Sequence, residues 1–186
     1  MYSLPSPTPT PTATATVTPT PTPTITPTKQ ILPFTQCRNA DLTIPDGGFA
    51  LDTMQVNQSG TIQSMKVKVD ITHPLVNDLV VTLKQTNTGK LINLIDQPRT
   101  PTGNICYGDD VFVTLADNSS MDVDSNCFDY LIPAISGEKR PSMFLVVYNG
   151  EQMKGEWELV ARDEQKQFDN HGRLNVRCLE FQYTEN

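Results

Sequence analysis

Met65, Val67, Val69 and Ile71 alternate with Lys66, Lys68, Asp70 and Thr72. A period of two places every second side chain on one face of an extended strand, so this run fits a sheet with one buried face and not a helix. The alternation returns in Leu79, Val81 and Leu83, in Val111, Val113 and Leu115, in Met143, Leu145 and Val147, and in Trp157, Leu159 and Ala161. Leu91 to Ile95 follows an Asn87-Thr88-Gly89 turn, which predicts a hairpin with the Leu79 run. In the last run Leu174, Val176 and Cys178 share one parity, and Leu179, Phe181 and Tyr183 take the other. A phase slip of one residue predicts a bulge or a change of covering layer. No stretch carries a helical period of useful length. The expected fold is all-β: a jelly-roll-like antiparallel β-sandwich.

Before this domain the chain has a different character. Ser3 to Thr28 is almost entirely Thr and Pro, a composition that favours extended polyproline-type backbone and buries nothing. The reading is a disordered Thr/Pro-rich linker over 1–35 and one domain over 36–186, which is enough chain for one core and too little for two. With 21 acidic against 14 basic residues the protein is acidic, and Lys29 is the one base of the linker. That balance argues against nucleic acid and against an anionic membrane surface. It suits calcium, which takes oxygen ligands. No apolar run is long enough to span a bilayer. Met1-Tyr2-Ser3-Leu4 shows no signal peptide, so export is expected to be directed from a larger precursor, or the chain begins inside a linker.

Four cysteines, Cys37, Cys106, Cys127 and Cys178, contain no C-x-x-C pair and are accompanied by two histidines, which argues against zinc. Of three connectivities, 106–127 as a local staple and 37–178 as an end-to-end staple suit an exported sandwich; free buried thiols are the alternative.

The search for chemistry finds little. Nucleophilic catalysis needs a Ser or Cys beside an oriented base. Neither His73 nor His171 lies in a motif that supplies one, and no G-x-S-x-G elbow occurs. Paired carboxylates for glycoside hydrolysis are a three-dimensional property that spacing leaves open. Gly47-Gly48 follows Asp46 in a turn and makes no phosphate cradle. The acidic loops say more. Asp122-Val123-Asp124-Ser125-Asn126 places oxygen-bearing side chains at alternate positions, although Cys127 and Pro133 stand where an EF-hand needs Gly and Glu. The calcium candidates are Asp78, Asp109, Asp110, Asp117, Asp122, Asp124 and Asp163, with Asp169 also near a strand end. The competing reading is a solvated, disulfide-closed loop. The sequons at Asn57 and Asn118 matter in a glycosylating host.

Three segments carry a family likeness. Ile44-Pro45-Asp46 leads through Met54 and Val56 to Gly60 and Ile62. Val67-Lys68-Val69-Asp70-Ile71-Thr72-His73 is followed by Asp78-Leu79-Val80-Val81-Thr82-Leu83. Tyr148-Asn149-Gly150-Glu151 precedes Gly155-Glu156-Trp157-Glu158-Leu159, Asp163 and Gly172-Arg173-Leu174. In this order they resemble the P domain (Homo B domain) of kexin- and furin-type proprotein convertases and of bacterial secreted subtilisin-like proteases. Two departures stand out: Asn77 replaces a Gly before Asp78, and Arg177-Cys178 stand near a position where the family commonly has Trp.

The resemblance implies a jelly-roll sandwich without catalytic residues that follows a subtilisin-type serine protease domain and supports its folding, stability and calcium or pH response. The partner it implies is a secreted catalytic domain joined N-terminally or encoded nearby, and the location is extracytoplasmic. A linker of about thirty residues favours a loose, modular use of the domain. The rival reading is a binding module for a glycan, cell surface or protein, for which Phe112, Phe128, Tyr130 and Tyr148 are the aromatic candidates.

Overall fold

The computed structural model describes residues 1–6, 29–166 and 171–185. The expectation of a disordered tail falls mostly on 7–28, outside the described residues, as does Asp169. The strands in chain order are β1 (Ile31–Ile44), β2 (Phe49–Val56), β3 (Thr61–Thr72), β4 (Leu79–Gln85), β5 (Leu91–Asp96), β6 (Val111–Leu115), β7 (Ile135–Lys139), β8 (Gly155–Asp163) and β9 (Gly172–Thr184). They form two sheets, β1-β9-β3-β6-β7 and β2-β8-β4-β5, packed as a β-sandwich. β1 starts at Ile31, paired with Thr184, and so takes in residues 31–35 that the sequence reading gave to the linker. The reason is chemical: Ile31, Leu32 and Phe34 are apolar, and Pro33 is tolerated because β1 is an edge strand.

The predicted hairpin of β4 and β5 forms, with Lys84 opposite Leu91. One pairing departs from the antiparallel expectation: β6 and β7 run parallel, joined by a crossover over residues 116–134. Met143, Leu145 and Val147 also depart, because the chain there makes a 3-10 turn, η3 (Leu145–Tyr148), instead of a strand. Its buried residues are Leu145 and Tyr148, three apart as that helix requires. The Asp117 carboxylate accepts the N–H groups of Leu145 and Val146, both at 2.7 Å, and satisfies the free donors at its start. Alternation over five residues did not reveal a cap donated from twenty-eight residues away.

The core fills as the alternation demands. Trp157 is fully buried, 5.0 Å from the Tyr148 ring and 5.6 Å from Phe181 between centroids. Its indole N–H donates to the Met153 carbonyl, and the Tyr148 hydroxyl donates to the Leu83 carbonyl. The phase slip in β9 is real but lies earlier than Cys178. Ile71 pairs with Leu174 and Asp70 with Val176, which leaves Asn175 as the extra residue of a bulge. Beyond it Arg177, Leu179, Phe181 and Tyr183 turn inward. Both expected disulfides are formed, Cys37–Cys178 across the β1–β9 pair and Cys106–Cys127 across the crossover.

Candidate functional site

The end of the sandwich where β3 stops, β4 starts and β8 stops collects the sequence-predicted residues most densely. His73 follows β3 directly and is fully buried. Its Nδ1 accepts the Leu75 N–H at 3.2 Å, so the ring proton sits on Nε2, which donates to Asp163 Oδ2 at 3.3 Å. Its backbone is clasped by Asp110: the His73 N–H donates to Asp110 Oδ1 at 2.9 Å, and the Asp110 N–H donates to the His73 carbonyl at 3.0 Å. Gly172 lies against the ring, and a Cβ there would meet His73 Cδ2 at 2.3 Å. The glycine of the Gly172-Arg173-Leu174 segment thus exists to admit the imidazole. A His beside an Asp invites comparison with a catalytic dyad. A general base needs a nitrogen free to meet a nucleophile, and here both ring nitrogens are committed inside the protein.

Asp163 closes β8. Besides His73 it accepts the Gln165 N–H on Oδ1 at 2.9 Å. Asp78 differs from every other candidate. It ends a 3-10 turn, η1 (Val76–Asp78), is 3% exposed, and its Oδ2 is buried without a hydrogen-bond partner. Burial pushes its carboxyl above the ordinary aspartate value; the Asp163 charge adds to this, His73 opposes it and Asp46 adds further. Asn77, the departure from the family's Gly, is not in a left-handed conformation. It donates from Nδ2 to the carbonyls of Gln97 at 3.3 Å and Pro98 at 2.8 Å, which ties η1 to the end of β5. A cavity of about 300 Å³ opens here, lined by Leu75, Asn77, Asp78, Ile105, Tyr107 and Gln165.

The remaining calcium candidates are dispersed, and most have their oxygens engaged. Asp122 accepts the Asp124 N–H at 2.9 Å and Arg140 Nη2 at 2.8 Å. Asp124 accepts the Asp96 N–H at 2.8 Å and the Ser142 hydroxyl. These bonds make the Asp122–Asn126 segment a brace between β5 and the chain after β7. Burial raises the Asp124 carboxyl to about 6, with the Ser142 and Asp96 bonds opposing. Asp117 caps η3, remote from Asp78, and Asp109 accepts the Ala134 N–H on its carbonyl. Among the described residues, one set of three ligand atoms converges closely, on Cys106, Cys127 and Asp129. Two of those atoms are disulfide sulfurs and lack the thiolate that binds metal.

Sequence reasoning missed a second buried charge group. Arg177, turned inward by the bulge, is fully buried with Nε 2.5 Å from Asp52 Oδ2, and its Nη2 donates to the Trp157 carbonyl at 2.7 Å. Arg38 holds the other oxygen of Asp52 at 2.9 Å. Burial lowers the Arg177 pKa and Asp52 opposes that shift. The Asn175 bulge that inverts its direction left only a parity slip in the sequence.

Among the described residues no helix is long and apolar enough to cross a membrane, and two disulfides are characteristic of oxidising, extracytoplasmic compartments. No family model and no curated protein matches the chain. Solved structures do. The serine protease of Aeromonas sobria, in a complex with its chaperone, is 18% identical with a TM-score of 0.55 over 84% of this chain. The same serine protease without that partner gives 18% identity and 0.53 over 85%. In each case the match spans 28% of the protease chain. At this identity the likeness is one of fold: this sandwich is similar to about a quarter of a serine protease.

Proposed function

We propose that this chain is a non-catalytic accessory sandwich of the P (Homo B) type, serving a secreted subtilisin-type protease by stabilising, folding or positioning its catalytic domain. The observation that carries the reading is the pairing of a match over 84% of this chain with only 28% of the serine protease. A fold that occurs there as one part of a larger protease is what an accessory module would be. The motif order in the sequence supports the same reading, as does the His73–Asp163 pair, which is spent on holding β3, β8 and the 108–110 segment together. A sandwich braced in this way is stiff, and stiffness is what a domain offers when it limits the unfolding of a neighbour.

Co-expressing the chain with secreted subtilisin-type catalytic domains from the same source tests this. Recovery of active protease should rise several-fold when the two are made together, and the mixture should survive heating longer. Recovery that is indifferent to the chain across all such domains would defeat the proposal.

A binding module is the second reading, and one observation favours it. Ile105, Tyr107, Tyr130, Leu131 and Ile132 are all exposed around the Cys106–Cys127 staple, Tyr130 by 80% and Ile132 by 74%. Two of the four aromatic candidates fail as an exposed row: Tyr148 is buried in the core and Phe128 is half-buried. Glycan or cell-wall pull-down with wild type and with Tyr107→Ala/Tyr130→Ala separates the two readings.

A further inference from the structure

Among the described residues of the domain, the exposed aromatic rings are Phe49, Phe112, Phe144, Tyr107 and Tyr130. The fold gives each phenylalanine a cation of its own. Arg162 lies 5.4 Å from the Phe49 ring centre, Lys68 4.5 Å from Phe112 and Arg140 5.9 Å from Phe144, close enough for a cation to be drawn to the face of a ring. Two of these cations also meet a carboxylate, Arg140 with Asp122 at 2.8 Å and Arg162 with Glu164 at 3.4 Å. Ring, cation and acid recur as a set on this surface.

Beside the Cys106–Cys127 staple the set lacks its cation. Phe128 and Tyr130 meet edge to face with ring centres 5.9 Å apart. Asp129, between them in the chain, accepts the Tyr107 N–H on Oδ1 at 2.8 Å, and among the described residues no donor reaches its Oδ2. Arg99, whose carbonyl accepts the Cys127 N–H, makes no contact with either ring. A cavity of about 270 Å³ is lined by Phe128, Asp129 and Tyr130 from one segment, by Thr100, Pro101 and Thr102 from another, and by the buried Cys127. The lining carries one formal charge, the Asp129 carboxylate. Pockets for drug-sized ligands start at about 300 Å³, so this one suits a single side chain. Rings and Pro101 match the methylene stem of a long cationic side chain, while ring faces and carboxylate match its head.

The corner is also built before any ligand arrives. The Phe128 N–H donates to the Ala134 carbonyl and the Leu131 N–H to the Phe128 carbonyl, each at 3.0 Å. A Cβ on Gly108 would meet the Ala134 Cβ at 2.5 Å, so the 108 and 134 backbones are in close contact. Such preorganisation lowers the ordering cost of binding. The excess of acidic over basic residues draws cations to the chain and offers a neutral glycan nothing.

We propose that this corner binds a cationic side chain of a partner protein, an arginine foremost, with its guanidinium stacked on the Phe128–Tyr130 pair and donating to Asp129 Oδ2. Arginine is favoured over lysine because its planar head lies on a ring and donates in its own plane at once. The exposed Ile105, Leu131 and Ile132 then receive apolar residues flanking that arginine. A chain that stabilises no protease could still hold such a segment, so the site stands apart from the accessory reading.

The test titrates the full chain with acetyl-Leu-Arg-Leu-amide and with the same peptide carrying citrulline, a neutral near-isostere, and follows the Phe128 and Tyr130 ring resonances by NMR. The arginine peptide should shift both rings with Kd on the order of 1 mM, and the citrulline peptide should bind roughly ten-fold more weakly. Added salt should weaken the arginine peptide, because the ion pair is exposed. Asp129→Asn, which keeps an acceptor for the Tyr107 N–H, and Tyr130→Ala should each weaken it several-fold. Tyr130→Phe keeps the ring and should keep the affinity, and Phe112→Ala, at a ring with its own cation, should change nothing. The proposal is overturned if about 20 mM arginine peptide shifts neither ring, if citrulline binds as tightly, or if Asp129→Asn and Tyr130→Ala bind as wild type does. A chitin oligosaccharide that shifts both rings where the arginine peptide shifts neither would give the corner to a glycan and defeat the proposal.

Discussion

Asp52 and Arg177 show what a single inward charge does to a sandwich. The pair bridges β2 and β9 through the core, and Arg177 Nη1 remains without a partner. Removing one member strands the other. Asp52→Ala should therefore cost about 3–5 kcal/mol, seen as a lower urea midpoint, whereas Asp52→Leu/Arg177→Met should recover most of that loss. If the single and double variants lose equally, the pair is not what holds this region. Asp124 makes a pH-dependent contribution of opposite character. Its folded-state pKa, about 6, lies above the usual 3.8, so the folded chain holds this proton more tightly than the unfolded one. Lowering the pH from 7 to 4 should then relieve a penalty on the order of 2 kcal/mol from this group, and the penalty should return as the pH rises from about 4 to 6, above which it is constant. Asp124→Asn keeps an acceptor for the Asp96 N–H and removes the charge. Urea unfolding between pH 4 and 8 should show the gap between variant and wild type widening in the variant's favour from about pH 4 to 6 and levelling off above that. A constant gap would contradict the assignment.

At the scale of elements, the strands that alternate cleanly were legible in the sequence, because one buried face leaves its period in the side chains. Met65 to Ile71, Leu79 to Leu83 and Val111 to Leu115 stand where that period puts them, in β3, β4 and β6. Three features were not legible, and each depends on a distant residue. The η3 turn needs the Asp117 carboxylate, the parallel β6–β7 pair needs a crossover whose path no local pattern encodes, and the inward Arg177 needs the bulge at Asn175. The site divides in the same way. Motif order picked out Asp46, His73, Asp78 and Asp163, but Gln165 and the Asn77 amide contacts join them only through the fold. Asp117→Ala should cost about 1 kcal/mol and release the Leu145 and Val146 amides to rapid hydrogen exchange while the sheets stay protected. Exchange at those two amides unchanged from wild type would remove Asp117 from its capping role. The Cys37–Cys178 link closes a far longer loop than Cys106–Cys127, with sequence separations of 141 and 21. Replacing the first pair by Ala should accordingly lower stability more than replacing the second, by about 1.7 kcal/mol in the chain-entropy account.

At the scale of the whole molecule, the polar groups at the β3–β4–β8 end act as structure. His73 locks a corner, Asp110 clasps its backbone, and Asp163 receives both the ring and the following loop. The domain that results is acidic and disulfide-held, similar in fold to one part of a serine protease. The accessory account therefore assigns the hydrolytic chemistry to a separate catalytic domain. Incubating the purified chain with casein and with peptide substrates measures that claim most directly. The account predicts hydrolysis no faster than buffer, unchanged by a serine-directed inhibitor; turnover that scales with the chain's concentration and is abolished by that inhibitor would contradict it.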